Sequence, residues 1–143
     1  MTLFVDASAI VAVMTNEVQR APRILEAMRT ADRLLTSDLA LWEAAAAVFR
    51  KTENMLSKPA MGDVRQQLDT FCRDIGIRQV DAHADDWRSA TDAFERFGPR
   101  SGSKARLNMA DGFHYAVASR LEAAILFTSP DEFHHTNLPS ALA

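Results

Sequence analysis

Three short apolar runs recur along the chain, Leu3-Phe4-Val5, Leu34-Leu35-Thr36 and Ala124-Ile125-Leu126-Phe127, and Ile77 to Val80 is a further strand candidate. Runs of this length predict short strands. Helix-period segments separate them. Patterns at Ser8 to Met14 and Val18 to Arg29 follow the first run, and a helix beginning near Leu39 and ending near Thr52 follows the second, with Ser37 or Asp38 as its cap. Beyond Ser57-Lys58-Pro59, Val64, Leu68, Phe71 and Ile75 recur at three- and four-residue spacings, and Gly76 stops that helix. Asp81 is read as the N-cap of a helix with Trp87, Ala90, Ala93, Phe94 and Phe97 on its apolar face, and Asn108 opens another that reaches about Glu122. Strands alternating with helices predict an α/β fold, a mainly parallel central sheet flanked by helices. No repeat, low-complexity tract or linker interrupts the pattern, so residues 1–143 are expected to form one domain.

Composition changes this picture little. Hydrophobic residues make up 48% and charged residues 24%, as in ordinary globular domains. No apolar stretch approaches a membrane span, and no basic segment followed by an apolar one marks a secretory leader. The single cysteine, Cys72, excludes an internal disulfide; a cytoplasmic location follows as the expectation, with Cys72 a buried small hydrophobe beside Leu68, Phe71 and Ile75. The net charge of −3 does not announce a nucleic-acid binder. Its distribution is more telling, because Arg96 to Ala110 carries Arg96, Arg100, Lys104 and Arg106 and no acid. With Gly98-Pro99 and Ser101-Gly102-Ser103, that stretch reads as a mobile basic loop, either a solvated connection or a phosphate-binding one.

The candidate chemistry lies in carboxylates. Asp6 ends the first strand, Glu43 lies on an alanine-rich helix, Asp111 lies early in the helix opened by Asn108, and Asp131-Glu132 follow the last strand. Each has a structural explanation as well: Asp6 as a helix cap, Glu43 as a surface residue, Asp111 as a capping-box partner of Asn108, and Asp131 or Glu132 as loop residues. As a group they are harder to dismiss. Strand ends and helix N-terminal turns of a parallel sheet converge on one edge, so all could face a single crevice. Hard oxygen ligands without histidine or cysteine suit Mg²⁺ or Mn²⁺ better than zinc. Among the histidines, the adjacent His134 and His135 match no ligand spacing. His114 shares a helical side with Asp111 and is read as a peripheral or packing residue.

Four segments in order, Leu3-Phe4-Val5-Asp6-Ala7-Ser8-Ala9, Leu39-Ala40-Leu41-Trp42-Glu43, Leu107 to Ala118 around Asp111, and Asp131 to Leu138, give the chain its resemblance to PIN-domain proteins. It resembles in particular the VapC toxins of prokaryotic toxin–antitoxin operons, over nearly its whole length. The resemblance implies that Asp6, Glu43 and Asp111 are catalytic, metal-coordinating carboxylates, with a further acid supplied by Glu132, where the family usually has aspartate, or by Asp131. Ser8 matches the small hydroxyl residue near the first aspartate, where it could assist metal or water positioning. It joins Arg96, Arg100, Lys104 and Arg106 as a candidate contact to RNA.

The implied activity is a Mg²⁺- or Mn²⁺-dependent endoribonuclease leaving 5′-phosphate and 3′-hydroxyl ends. Its implied partners are RNA, a VapB-like antitoxin with a basic C-terminal segment, and a second copy of itself in a homodimer. A non-catalytic PIN-like module that binds RNA or protein through a degenerate acidic site is the alternative. Phosphoryl transfer through Asp6 as nucleophile is disfavoured, because haloacid-dehalogenase-like enzymes need a second aspartate where this chain has Ser8.

Overall fold

The computed structural model describes residues 1–128 and 133–142. Four strands, β1 (Thr2–Val5), β2 (Arg33–Thr36), β3 (Ile77–Gln79) and β4 (Ala124–Leu126), form one parallel sheet in the order β3-β2-β1-β4. Helices α1 (Ala7–Met14) and α2 (Ala21–Thr30) link β1 to β2, and α3 (Asp38–Lys51) and α4 (Met61–Ile75) link β2 to β3. The remaining crossover, from β3 to β4, uses α5 (Asp86–Phe97) and α6 (Met109–Arg120). Successive side chains of a strand point to opposite faces, and both faces here are apolar. Leu3, Val5 and Leu126 enter a core with Ile10, Ile24, Val48 and Val64, while Phe4, Ile125 and Phe127 enter a second core with Leu107, Tyr115 and Val117. The apolar runs of β1 and β4 are thus explained by two cores, one on each face of the sheet, while in the edge strand β3 only Ile77 is buried.

The sheet order positions the site. From β1 the chain builds outward through β2 to β3, then crosses back to place β4 on the other flank of β1. The order therefore reverses between β1 and β4, and the crevice beyond their carboxyl ends is where ligands of open α/β sheets bind.

Three local expectations are corrected. Asp81 is not an N-cap: α5 starts at Asp86, and Asp81 is an exposed loop residue whose carbonyl accepts from Arg120 Nη2 at 3.3 Å. The buried Asp86 sets that start, since its carboxylate accepts from His83 N at 2.9 Å and from Arg120 Nε and Nη2 at 2.8 and 2.9 Å. Trp87 lies outside the apolar face, 55% exposed, with the Arg88 guanidinium over its ring at 4.4 Å. Helix α2 begins at Ala21, not Val18, because residues 17–20 form a turn and Pro22 occupies the first helical turn, where its missing N–H costs nothing. Cys72 is half-buried, and burial pushes its thiol up to about 11, which agrees with an inert packing role.

Candidate active site

Asp6 follows directly on β1, and its backbone N–H donates to Leu126 O at 3.0 Å, locking it to the end of β4. It does cap α1: Oδ2 accepts from Ser8 N at 3.0 Å and from Ser8 Oγ at 2.7 Å. Those bonds consume one carboxylate oxygen and leave Oδ1 to face the crevice. The Ser8 hydroxyl in turn accepts from Thr128 N at 3.0 Å, tying the segment after β4 to the same corner. Its only O–H is committed to Asp6, so Ser8 acts inside the site and has no donor to spare for RNA.

Helix α3 brings Glu43 to this edge. Its start is fixed by Ser37, whose Oγ accepts from Ala40 N at 3.1 Å. Helix α6 brings Asp111 through the expected capping box, in which Asn108 Oδ1 accepts from Asp111 N at 2.9 Å and Asp111 Oδ2 accepts from Asn108 N at 3.1 Å. Gly112 permits close approach of α6 to α5: a Cβ there would stand 3.3 Å from Ala90 O.

The residue that joins these acids is His114. It is 1% exposed, with Nε2 2.5 Å from Glu43 Oε1 and 3.5 Å from Asp6 Oδ1, and its ring lies 5.7 Å from that of Phe4. Of the two roles the sequence reading offered, peripheral or packing, the packing one agrees with its burial against Phe4, but the ring also touches two of the acids, which that reading did not include. The usable signal was its spacing: three residues after Asp111, on the same side of α6. Burial disfavours charge on this imidazole, but the Glu43 hydrogen bond and the Asp6, Glu43 and Asp111 carboxylates outweigh it and raise the pKa above the ordinary value. Asp111 is also raised, first by burial and then by the charges of Asp6 and Glu43, against the opposing Asn108 hydrogen bond and His114.

These donors fit a hard divalent cation. They are carboxylate oxygens without thiolate, and burial is joined by the Asp6 and Glu43 charges in raising Asp111, so a cation there would relieve their repulsion. As the side chains stand, no three His, Cys, Asp or Glu residues among those described enclose an ion position. Asp131 and Glu132 lie outside the described residues.

The basic residues are distributed differently from the sequence expectation. Arg96 belongs to the last turn of α5, its guanidinium 4.8 Å from the Phe97 ring centre. The loop that follows is pinned by buried Ala105 and Leu107 and by Leu107 N donating to Phe97 O at 2.8 Å, while Arg100, Lys104 and Arg106 remain exposed. On the other side of the acids, a groove of about 690 Å³ runs between α1 and α3, with Ser8, Val11, Trp42, Glu43, Phe49 and Arg50 in its lining. Sequence reasoning passed over Trp42 and Phe49 as part of the helix pattern; they are 61% and 41% exposed.

A parallel sheet of this order, with acids gathered at its switch point, defines a recognisable class: the PIN domain model matches residues 3–137, and the chain belongs to the PIN-domain family. Within that family it is of the VapC type. It is 31% identical to ribonuclease VapC42 of Mycobacterium tuberculosis over 97% of this chain and 98% of that protein. It is 30% identical to VapC ribonuclease R02377 of Rhizobium meliloti over 94% of this chain and 98% of that one. The crystal structure of Mycobacterium tuberculosis VapC20, a sarcin-ricin loop cleaving toxin, superposes with a TM-score of 0.68 over 92% of this chain and 93% of that one, at 16% identity.

Proposed function

We propose that this chain is a metal-dependent endoribonuclease toxin that acts in the cytoplasm and is restrained by a small VapB-like antitoxin. The observation that carries this reading is the grouping of Asp6, Glu43 and Asp111 around one crevice of a PIN domain whose relatives are VapC ribonucleases. Asp6 Oδ1, Glu43 and Asp111 would hold Mg²⁺ or Mn²⁺, with Asp131 or Glu132 as a further acid. Such an ion supplies Lewis acidity toward a phosphoryl oxygen and activates water as a nucleophile. Ser8 fixes Asp6 so that one oxygen stays directed at the crevice. Arg100, Lys104 and Arg106 would hold phosphates flanking the cleavage point, offsetting the repulsion between RNA and an acidic site.

The groove beside Glu43 supports the partner reading. Its exposed Trp42 and Phe49 suit an apolar segment of the antitoxin, whose basic end would then reach the acids. A homodimer is part of the same proposal. Among the described residues no helix is long and apolar enough to cross a membrane. The test is to sequence RNA 5′ ends after inducing the wild-type chain and Asp6→Asn in parallel. New 5′ ends only with the wild type are expected. Undiminished metal-dependent cleavage by purified Asp6→Asn would sink the assignment, and ion binding without cleavage of any RNA would favour a non-catalytic module.

A further inference from the structure

Within the metal-dependent reading above, on which this inference rests, His114 has a place that the acids alone do not explain. Its Nε2 lies 2.5 Å from Glu43 Oε1 and 3.5 Å from Asp6 Oδ1, so one nitrogen stands against two of the carboxylates that would hold the cation. We propose that His114 is a positioning residue that competes with the divalent ion for Glu43, so that the Glu43 carboxylate would be available to the ion only once the His114 contact opens. The ring is 1% exposed and lies against Phe4, so it is part of the core and not a surface group that drifts in. Its other nitrogen, Nδ1, is buried with no hydrogen-bond partner among the described residues. Buried polar atoms are rarely left so, because each costs the full desolvation of the group. Among the described residues the imidazole is therefore held in this orientation through Nε2 only.

The test uses the full chain at one fixed pH. In wild-type protein with ¹⁵N-labelled histidine, Mg²⁺ titration is expected to shift the His114 Nε2 resonance and abolish its hydrogen-bonded proton signal. His114→Asn, whose amide reaches only as far as Nδ1, should bind Mn²⁺ about tenfold more tightly by calorimetry, the fold-change of one charge-assisted hydrogen bond given up. His114→Gln restores a donor near the Nε2 position and should bind as the wild type does. A purely structural histidine would not make its Asn variant a better ion binder. Weaker or unchanged Mn²⁺ binding by His114→Asn overturns the proposal. So do His114 signals that stay fixed while the Asp6 and Glu43 amides move, and this arm stands even where the Asn variant fails to fold. If no ion moves any signal of the wild type, the metal-dependent function itself falls.

Discussion

Replacing Ser8 by alanine removes a hydroxyl that donates to Asp6 Oδ2 at 2.7 Å and accepts from Thr128 N at 3.0 Å. The first is a hydrogen bond to a carboxylate, with a net contribution of about 1.5–3 kcal/mol. The second leaves a backbone N–H without its acceptor, but Thr128 is half-buried and water can replace part of that bond. Asp6 keeps the Ser8 backbone N–H at 3.0 Å, so the cap of α1 survives. The net loss is then about 2 kcal/mol, and for a domain of this size the thermal midpoint should fall by about 7 °C. Calorimetry with a chelator present measures it. If the energy passes through the Asp6 charge, Ser8→Ala should cost clearly less in an Asp6→Asn background, a coupling that a double-mutant cycle reads directly. Cleavage by Ser8→Ala should drop about tenfold with RNA affinity unchanged, because the hydroxyl's one O–H is committed to orienting Asp6. A midpoint within about 1 °C of wild type, or strict additivity with Asp6→Asn, refutes this account of the corner.

Two further outcomes follow from the same geometry. Arg120→Met strands the carboxylate of Asp86, which is 3% exposed and keeps only the His83 N–H; a loss of about 3 kcal/mol is expected in urea unfolding, largely recovered by adding Asp86→Asn. The pH dependence has a definite sign on each side. Burial opposes ionisation of Asp86, yet the Arg120 and His83 hydrogen bonds hold its pKa below the ordinary 3.8, so its stabilisation is present above that value and lost as pH falls through the lower folded one. His114 and Asp111 are both raised, which means the folded state retains protons that the unfolded chain releases. Their contributions are full below the ordinary values, 6.5 for the imidazole, and fade as pH rises through the folded ones. Chelator-treated protein should therefore melt lower at about pH 8 than at about pH 6, and a flat or rising midpoint across that window contradicts the clustering of charge around His114.

The strands and the acids were legible in the sequence for a shared reason: each is written in local pattern. A strand buried on both faces must be a continuous apolar run, and a carboxylate directly after it stands out, as Asp6 does after Leu3-Phe4-Val5. Capping is local too, which is why Ser37 and the Asn108–Asp111 pair could be read in advance. The start of α5 was missed because it depends on Arg120, thirty-four residues away from the Asp86 it grips. The contacts of His114 with the acids were missed for the same kind of reason. Its partner Glu43 is seventy-one residues distant, and the local spacing from Asp111 puts it beside one acid without showing that it meets two others. What separates the two is the sheet order: only with β4 beside β1 does the crossover that ends in α6 return across β1 and bring its histidine between Asp6 and Glu43. The acids could be found from where strands end, but the group that links them requires knowing which strands are neighbours. That dependence gives the topology a testable chemical consequence, since the same substitution at His114 should change ion affinity and the pH response together.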